Sequence, residues 1–223
     1  MRVVIFGASG MVGKGTLLEC LDDPRVDSVL VVGRSRCGVQ HAKLTELLHA
    51  DFFNLSSLEP HFAGCDACFF CLGVSAAGMR ETEYRHFTYD LTLEAARVMS
   101  SADPRMTFCY VSGEGTDSTE HGRVMWARVK GATENALLQM PFKATYMLRP
   151  GFIQPLRGVR SKTMLYHVLI TVFRPLFPLV RLLLPAYTTT SANVGRALIY
   201  LADAGYPQHI LRSADINRLA GVR

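Results

Sequence analysis

Arg2-Val3-Val4-Ile5-Phe6-Gly7-Ala8-Ser9-Gly10-Met11-Val12-Gly13 is the stretch that decides how this 223-residue chain folds. Val3 to Phe6 is a short continuous apolar run of the kind that forms a strand buried on both faces. Three glycines follow at G-x-x-G-x-x-G spacing, and helical patterning opens at Met11. Glycines at such a turn let backbone N–H groups at a helix N-terminus approach a pyrophosphate. Glycines alone also serve ordinary turns. Here the strand–turn–helix setting supports dinucleotide binding.

Further apolar, β-branched runs occur at Ser28–Val32, Cys65–Leu72, Met106–Ser112 and Ala144–Leu148, with a weaker candidate at Lys43–His49. Between them, Met11–Leu21, Glu81–Ser101 and Arg123–Met140 have helical spacing. Such alternation predicts an α/β fold: a Rossmann-type, doubly wound, mostly parallel sheet covered on both faces. The rhythm stops near Gly151, so residues 1–155 are expected to form the NAD(P)-binding part. Residues 156–223 are expected to add a small C-terminal helical substrate or interface lobe within the same domain. A last helix is expected from the capping hydroxyls at Thr188–Ser191 to about Ala202.

The end of the second strand tests the choice of cofactor. NAD-binding folds place an acid there, about 20 residues beyond the glycines, for the ribose 2′-hydroxyl. This chain has Gly33-Arg34-Ser35-Arg36 instead. Guanidinium groups without a carboxylate suit a 2′-phosphate, so NADP(H) is favoured over NAD(H). Solvated loop charges are the alternative.

These residues resemble the atypical short-chain dehydrogenase/reductase proteins, small relatives of the NAD(P)-dependent epimerase/dehydratase family. The resemblance runs in order through Gly7–Gly13, Gly33-Arg34-Ser35, Asp51-Phe52, Cys71-Leu72-Gly73-Val74, Tyr110-Val111-Ser112, Val129-Lys130-Gly131 and Leu148-Arg149-Pro150-Gly151. It covers about residues 1–155. It implies an oxidoreductase or epimerase-like activity on a carbonyl or hydroxyl small molecule. Cofactor neighbours would be Gly7, Ser9, Gly10, Met11, Val12, Gly13, Arg34, Ser35, Asp51, Phe52, Leu72, Gly73, Lys130 and Pro150. Ser112 and Lys130 would be the catalytic pair. The family's proton-exchanging Tyr stands four residues before its Lys, and here that residue is Trp126. An indole donates a hydrogen bond but is no general acid or base. Tyr84, Tyr89, Glu114 and His121 are candidate substitutes. A protein that holds NADP(H) as a regulator or scaffold, without turnover, is the rival reading. Trp126 would either flank the nicotinamide or fill core.

Composition removes other classes. With 49% hydrophobic and 19% charged residues, the chain has the makings of a sizeable core and is no disordered tail. The net charge of +5 is local: no Asp or Glu occurs from Asn135 to Ala202, a stretch with eight basic residues, leaving 16 basic against 19 acidic elsewhere. No nucleic-acid motif accompanies it, and no nucleic-acid partner is expected. The apolar run after Met1 is too short for an export signal, so reduced thiols and a cytoplasmic location are expected. Cys65-x-x-Cys68-x-x-Cys71 has cluster-like spacing, but on one strand Cys65 and Cys71 would face away from Cys68. No metal is expected. Ser112 is not in a hydrolase elbow, since Tyr110-Val111 precede it.

Residues 163–187 are apolar, broken by Pro175, Pro178 and Pro185 and by Arg174 and Arg181. They are ill-suited to span a bilayer. Three readings stand: the lining of a pocket for an apolar substrate with an anionic group, peripheral contact with an anionic membrane, or a homo-oligomer interface or ordinary helix core.

Overall fold

The computed structural model describes residues 1–157 and 186–222. The expectations for 163–185 lie outside these residues. The described elements run β1 (Arg2–Phe6), α1 (Met11–Asp22), β2 (Ser28–Gly33), β3 (Leu44–Leu48), α2 (Glu59–Phe62), β4 (Ala67–Phe70), α3 (Glu81–Arg85), a π-helical turn (His86–Asp90) and α4 (Leu91–Ala102). Then come β5 (Thr107–Val111), α5 (Met125–Leu138), β6 (Ala144–Arg149), β7 (Phe152–Gln154), β8 (Thr188–Thr190), α6 (Ser191–Ala204), β9 (Ile210–Arg212) and α7 (Ser213–Ala220).

Seven strands form one sheet in the order β3-β2-β1-β4-β5-β6-β9, every pair parallel. This is the Rossmann-type α/β architecture expected. The order reverses between β1 and β4, and such a reversal opens a crevice at the carboxyl ends of the strands. Strand alternation sorts the core into two layers. Val3, Ile5, Phe69 and Leu148 meet α1, α6 and α7 on one face. Val4, Phe6, Phe70 and Met147 meet residues of α2, α4 and α5 on the other.

Residues 186–222 are woven into these layers rather than set apart. β9 extends the main sheet beside β6, β8 pairs with β7, and α6 lies across α1. Thr190 caps α6 by accepting from the Asn193 N–H at 3.0 Å. The helices α1 and α6 meet at glycines. A Cβ on Gly15 would lie 2.6 Å from the Ser191 Cβ, and one on Gly195 would lie 3.0 Å from the Thr16 Cα.

Two sequence expectations need correction. Cys65 precedes β4, so strand parity does not govern it; it packs with Cys68, while Cys71 borders the opposite layer. The segment Glu81–Ser101 is not one regular helix, because the π-helical turn inserts an extra residue between α3 and α4. All six cysteines are free, and no group of metal-ligating side chains gathers among the described residues. No helix among them is long and apolar enough to cross a membrane.

The α1–α6 contact has no room for extra atoms. Gly15→Val is expected to destabilise the fold by roughly 1–3 kcal/mol through overpacking, read as a lower melting temperature in calorimetry.

Candidate functional site: a crevice at the strand-order reversal

The glycine turn is shaped by backbone crowding. Gly7 has φ +83°, and a Cβ there would sit 2.7 Å from the Cys71 carbonyl oxygen at the end of β4. A Cβ on Gly13 would sit 2.2 Å from the Gly7 oxygen. Gly13 is buried, lines neither cavity described below with its own surface, and lets α1 close on the turn. Gly10 is the N-cap of α1 and has no side chain to cap it; no acidic residue stands in the first turn. The leading N–H groups of the helix and its positive dipole end are therefore available to an anion.

Two cavities meet along this turn, sharing Gly7, Ser9, Arg34, Leu72 and Gly73. One, of about 350 Å³, runs over β2 and is walled by Ser35, Asp51, Phe52, Phe53, Met79 and Phe87 among others. Asp51 stands at its edge and accepts from the Phe53 N–H at 2.9 Å. Arg34 and Ser35 are exposed, and Arg34 makes no ion pair among the described residues. The nearby carboxylate, Glu46, is turned to the Cys37 N–H at 2.6 Å, and that bond holds its pKa below the usual value.

The second cavity, of about 650 Å³, is walled by Met11 and Val12 of α1, Ser112, Glu114, Trp126, Lys130, Pro150 and Ile153. Ser112 follows β5 and is nearly buried; its N–H donates to the Leu148 oxygen at 2.8 Å. Its hydroxyl lies 2.9 Å from that of Thr116, which in turn donates to the Gly113 oxygen at 2.7 Å. A hydroxyl has one proton, so the Ser112 proton is directed to Thr116 and its lone pairs to the cavity. Lys130 is half-buried, with Nζ 5.6 Å from the centroid of the Tyr110 ring. Burial pulls its pKa down from 10.5 to about 8, against the opposing influence of Glu134. Cys71, also on the wall, is pushed up to about 12 by burial.

Helix α5 carries both Trp126 and Lys130, and its approach is set by Gly131. A Cβ there would lie 1.8 Å from the Asp117 oxygen. The outer edge of the indole lies where a Cβ on Gly115 would be 3.3 Å away. Trp126 is thus a wall residue of the cavity. Of the four candidate proton donors, Glu114 alone lines it. Tyr84 is buried, Tyr89 lies under the Arg85 guanidinium, and His121 is exposed on a loop. The sequence reading missed Phe53, Met79 and Phe87. Phe87 belongs to the π-helical turn, which leaves no trace in an apolar pattern.

No protein-family model matches the chain. It is 28% identical over 159 residues to protein fmp52, mitochondrial, of Emericella nidulans, covering 68% of this chain and 66% of that one. It is 27% identical over 153 residues to protein HTATIP2 of Rattus norvegicus, covering 68% and 62%. The matches thus span just under two thirds of these relatives. Among solved structures, MoeE5 in complex with UDP-glucose and NAD superposes with a TM-score of 0.68 at 15% identity, over 95% of this chain and 75% of that one. A short-chain dehydrogenase/reductase family oxidoreductase from Burkholderia thailandensis gives 0.67 at 14% identity, over 99% and 93%. The fold is that of the nicotinamide-dependent epimerases and reductases. By sequence the chain is similar to fmp52 and HTATIP2, and by fold to the short-chain dehydrogenase/reductase and epimerase structures.

The lysine makes a prediction with a defined sign. Below pH 8 both folded and unfolded chains carry the proton, and the fold bears the cost of a desolvated ammonium. Above it the folded chain releases the proton first, so stability gained from this residue rises with pH until the unfolded lysine titrates. Lys130→Met is therefore expected to melt higher than the natural chain at pH 7, with the difference shrinking towards pH 10 in calorimetric scans.

Proposed function

We propose that the chain binds a nicotinamide dinucleotide across the crevice, NADP(H) in preference to NAD(H), and acts as an oxidoreductase or epimerase-like protein on a carbonyl or hydroxyl small molecule. The observation that carries this reading is the pair of cavities joined at the glycine turn. The 350 Å³ arm is the size and character for an adenosine half, the uncapped α1 N-terminus faces the join, and the 650 Å³ arm holds Ser112 and Lys130. A bound nicotinamide would supply hydride chemistry. The MoeE5 structure contains NAD.

In this reading Gly7, Ser9, Gly10, Met11 and Val12 surround the diphosphate, and Arg34 with Ser35 receives the 2′-phosphate. Asp51, Phe52, Leu72 and Gly73 border the adenosine. Lys130 donates to the ribose hydroxyls and Pro150 closes the far wall. Ser112 meets the substrate oxygen; to donate rather than accept, it turns its proton away from Thr116. The free cysteines fit a reducing compartment, and we place the protein in the cytoplasm, although the fmp52 relative is labelled mitochondrial.

A second reading, a cofactor-holding protein without turnover, is favoured by Trp126 at the place of the phenol. Trp126→Tyr separates the two. Appearance or increase of NADPH consumption on a carbonyl panel identifies a modified reductase; persistent binding with no chemistry in either form identifies a holder.

Cofactor choice is checked by calorimetric titration. NADPH is expected to bind more tightly than NADH, and Arg34→Ala to weaken NADPH about tenfold or more, the loss of one charge-assisted contact, with little change for NADH. Equal affinities of the natural chain for the two would contradict the 2′-phosphate assignment.

A further inference from the structure

Behind the cavity, away from its lining, lies a buried ion pair. Glu134 of α5 is fully buried, and Arg149 at the end of β6 is nearly so. The Arg149 Nε donates to both Glu134 oxygens at 3.1 and 3.0 Å, and its Nη2 makes a short contact to Oε2. The same Nη2 donates to the Ser118 hydroxyl at 2.5 Å. Glu134 also stands one helical turn from Lys130, the spacing at which a lysine and a glutamate on one helix pair directly. They do not: among the described residues Lys130 makes no ion pair, and both carboxylate oxygens are committed to the guanidinium.

We propose that Arg149 is a positioning residue that acts on the site through Glu134: by holding that carboxylate it keeps it from pairing with Lys130, and so leaves the cavity a lysine free to give up or take a proton.

The other groups around Lys130 do not replace this pairing. Tyr110 of β5 presents its ring face and is itself held neutral by burial. Tyr84 of α3 is buried and neutral, and Glu81 of the same helix is paired with Arg128. The π-helical turn contributes the uncharged Thr88. On the cavity side, Glu114 is opposed by Arg212 at 3.6 Å, and Arg34 is a further cation. Glu134 is the charge that acts to raise the lysine's pKa, and burial is what lowers it. A freed Glu134 would strengthen the first of these. The inference rests on the proposed function only for its consequence, a proton-exchanging amine in a cofactor site that lacks the phenol.

The test needs no nucleotide, so it can fail independently of cofactor binding. The full chain is labelled with ¹³C-lysine, and the Cε shifts are followed against pH by NMR, with Lys130→Met assigning the signal. A Lys130 midpoint near pH 8 is expected in the natural chain. Arg149→Met, which releases Glu134, is expected to raise it by about one unit or more, the effect of a close opposite charge. Arg149→Met with Glu134→Gln removes both buried charges, a change such sites often tolerate, and is expected to bring the midpoint back to the natural value or below. An ordinary lysine midpoint in the natural chain overturns the proposal. So does an unshifted midpoint in folded Arg149→Met. Where Arg149→Met does not fold, the double variant decides: a midpoint above the natural one overturns the proposal, and one at or below it supports it.

Discussion

Three backbone segments meet at the reversal of strand order with no space for a single side-chain carbon between them. The turn after β1 presses Gly7 against the end of β4, and the first turn of α1 presses Gly13 against Gly7. Everything that gives the crevice its character follows from this contact. It brings the start of α1 to the carboxyl ends of the strands, leaves its leading N–H groups without a capping side chain, and joins the two cavities at one point. A Cβ at Gly7 or Gly13 would push the helix away from the sheet.

The second wall is placed by the same device used elsewhere. Gly131 lets α5 lie directly on the loop that carries Ser112 to Asp117. That loop is folded tightly: the Asp117 carboxylate accepts from Thr119 and from the Gly122 N–H, and Glu114 is bound through its N–H to the Pro150 oxygen at 2.9 Å. The Glu134–Arg149 pair then ties α5 to β6 from behind. The helix and loop that carry Trp126, Lys130 and Ser112 are thus held together by backbone packing and a buried charge pair. On the opposite face, Gly15 and Gly195 bring α6 onto α1, so the segment after residue 186 braces the helix that begins at the crevice.

Much of this was legible in the sequence because it depends on local patterns. The continuous apolar runs place β1, β2, β5 and β6 to within a residue or two, since strands buried on both faces are predominantly apolar along their length. The glycine spacing marked the turn, although spacing alone does not separate Gly7 and Gly10, which line the crevice, from Gly13, which is buried against Gly7. The three-residue strands β7, β8 and β9 were not legible. Each is defined by its partner strand rather than by its own composition, and Ile210-Leu211-Arg212 is too short to show a period. The extra residue of the π-helical turn, which sets Phe87 towards the smaller cavity, is equally silent in the pattern. Arg149 stood in a recognisable Leu-Arg-Pro-Gly run, but only the fold shows that its partner is Glu134, fifteen residues earlier.

The most direct measurement uses the chain's single tryptophan. Trp126 lines the larger cavity, and reduced nicotinamide absorbs where indole emits. Titrating NADPH into the protein while exciting the indole should quench Trp126 emission and bring up nicotinamide emission in a saturable way, and NADP should compete it away. Unchanged Trp126 emission and no sensitised nicotinamide emission at millimolar NADPH would contradict the account.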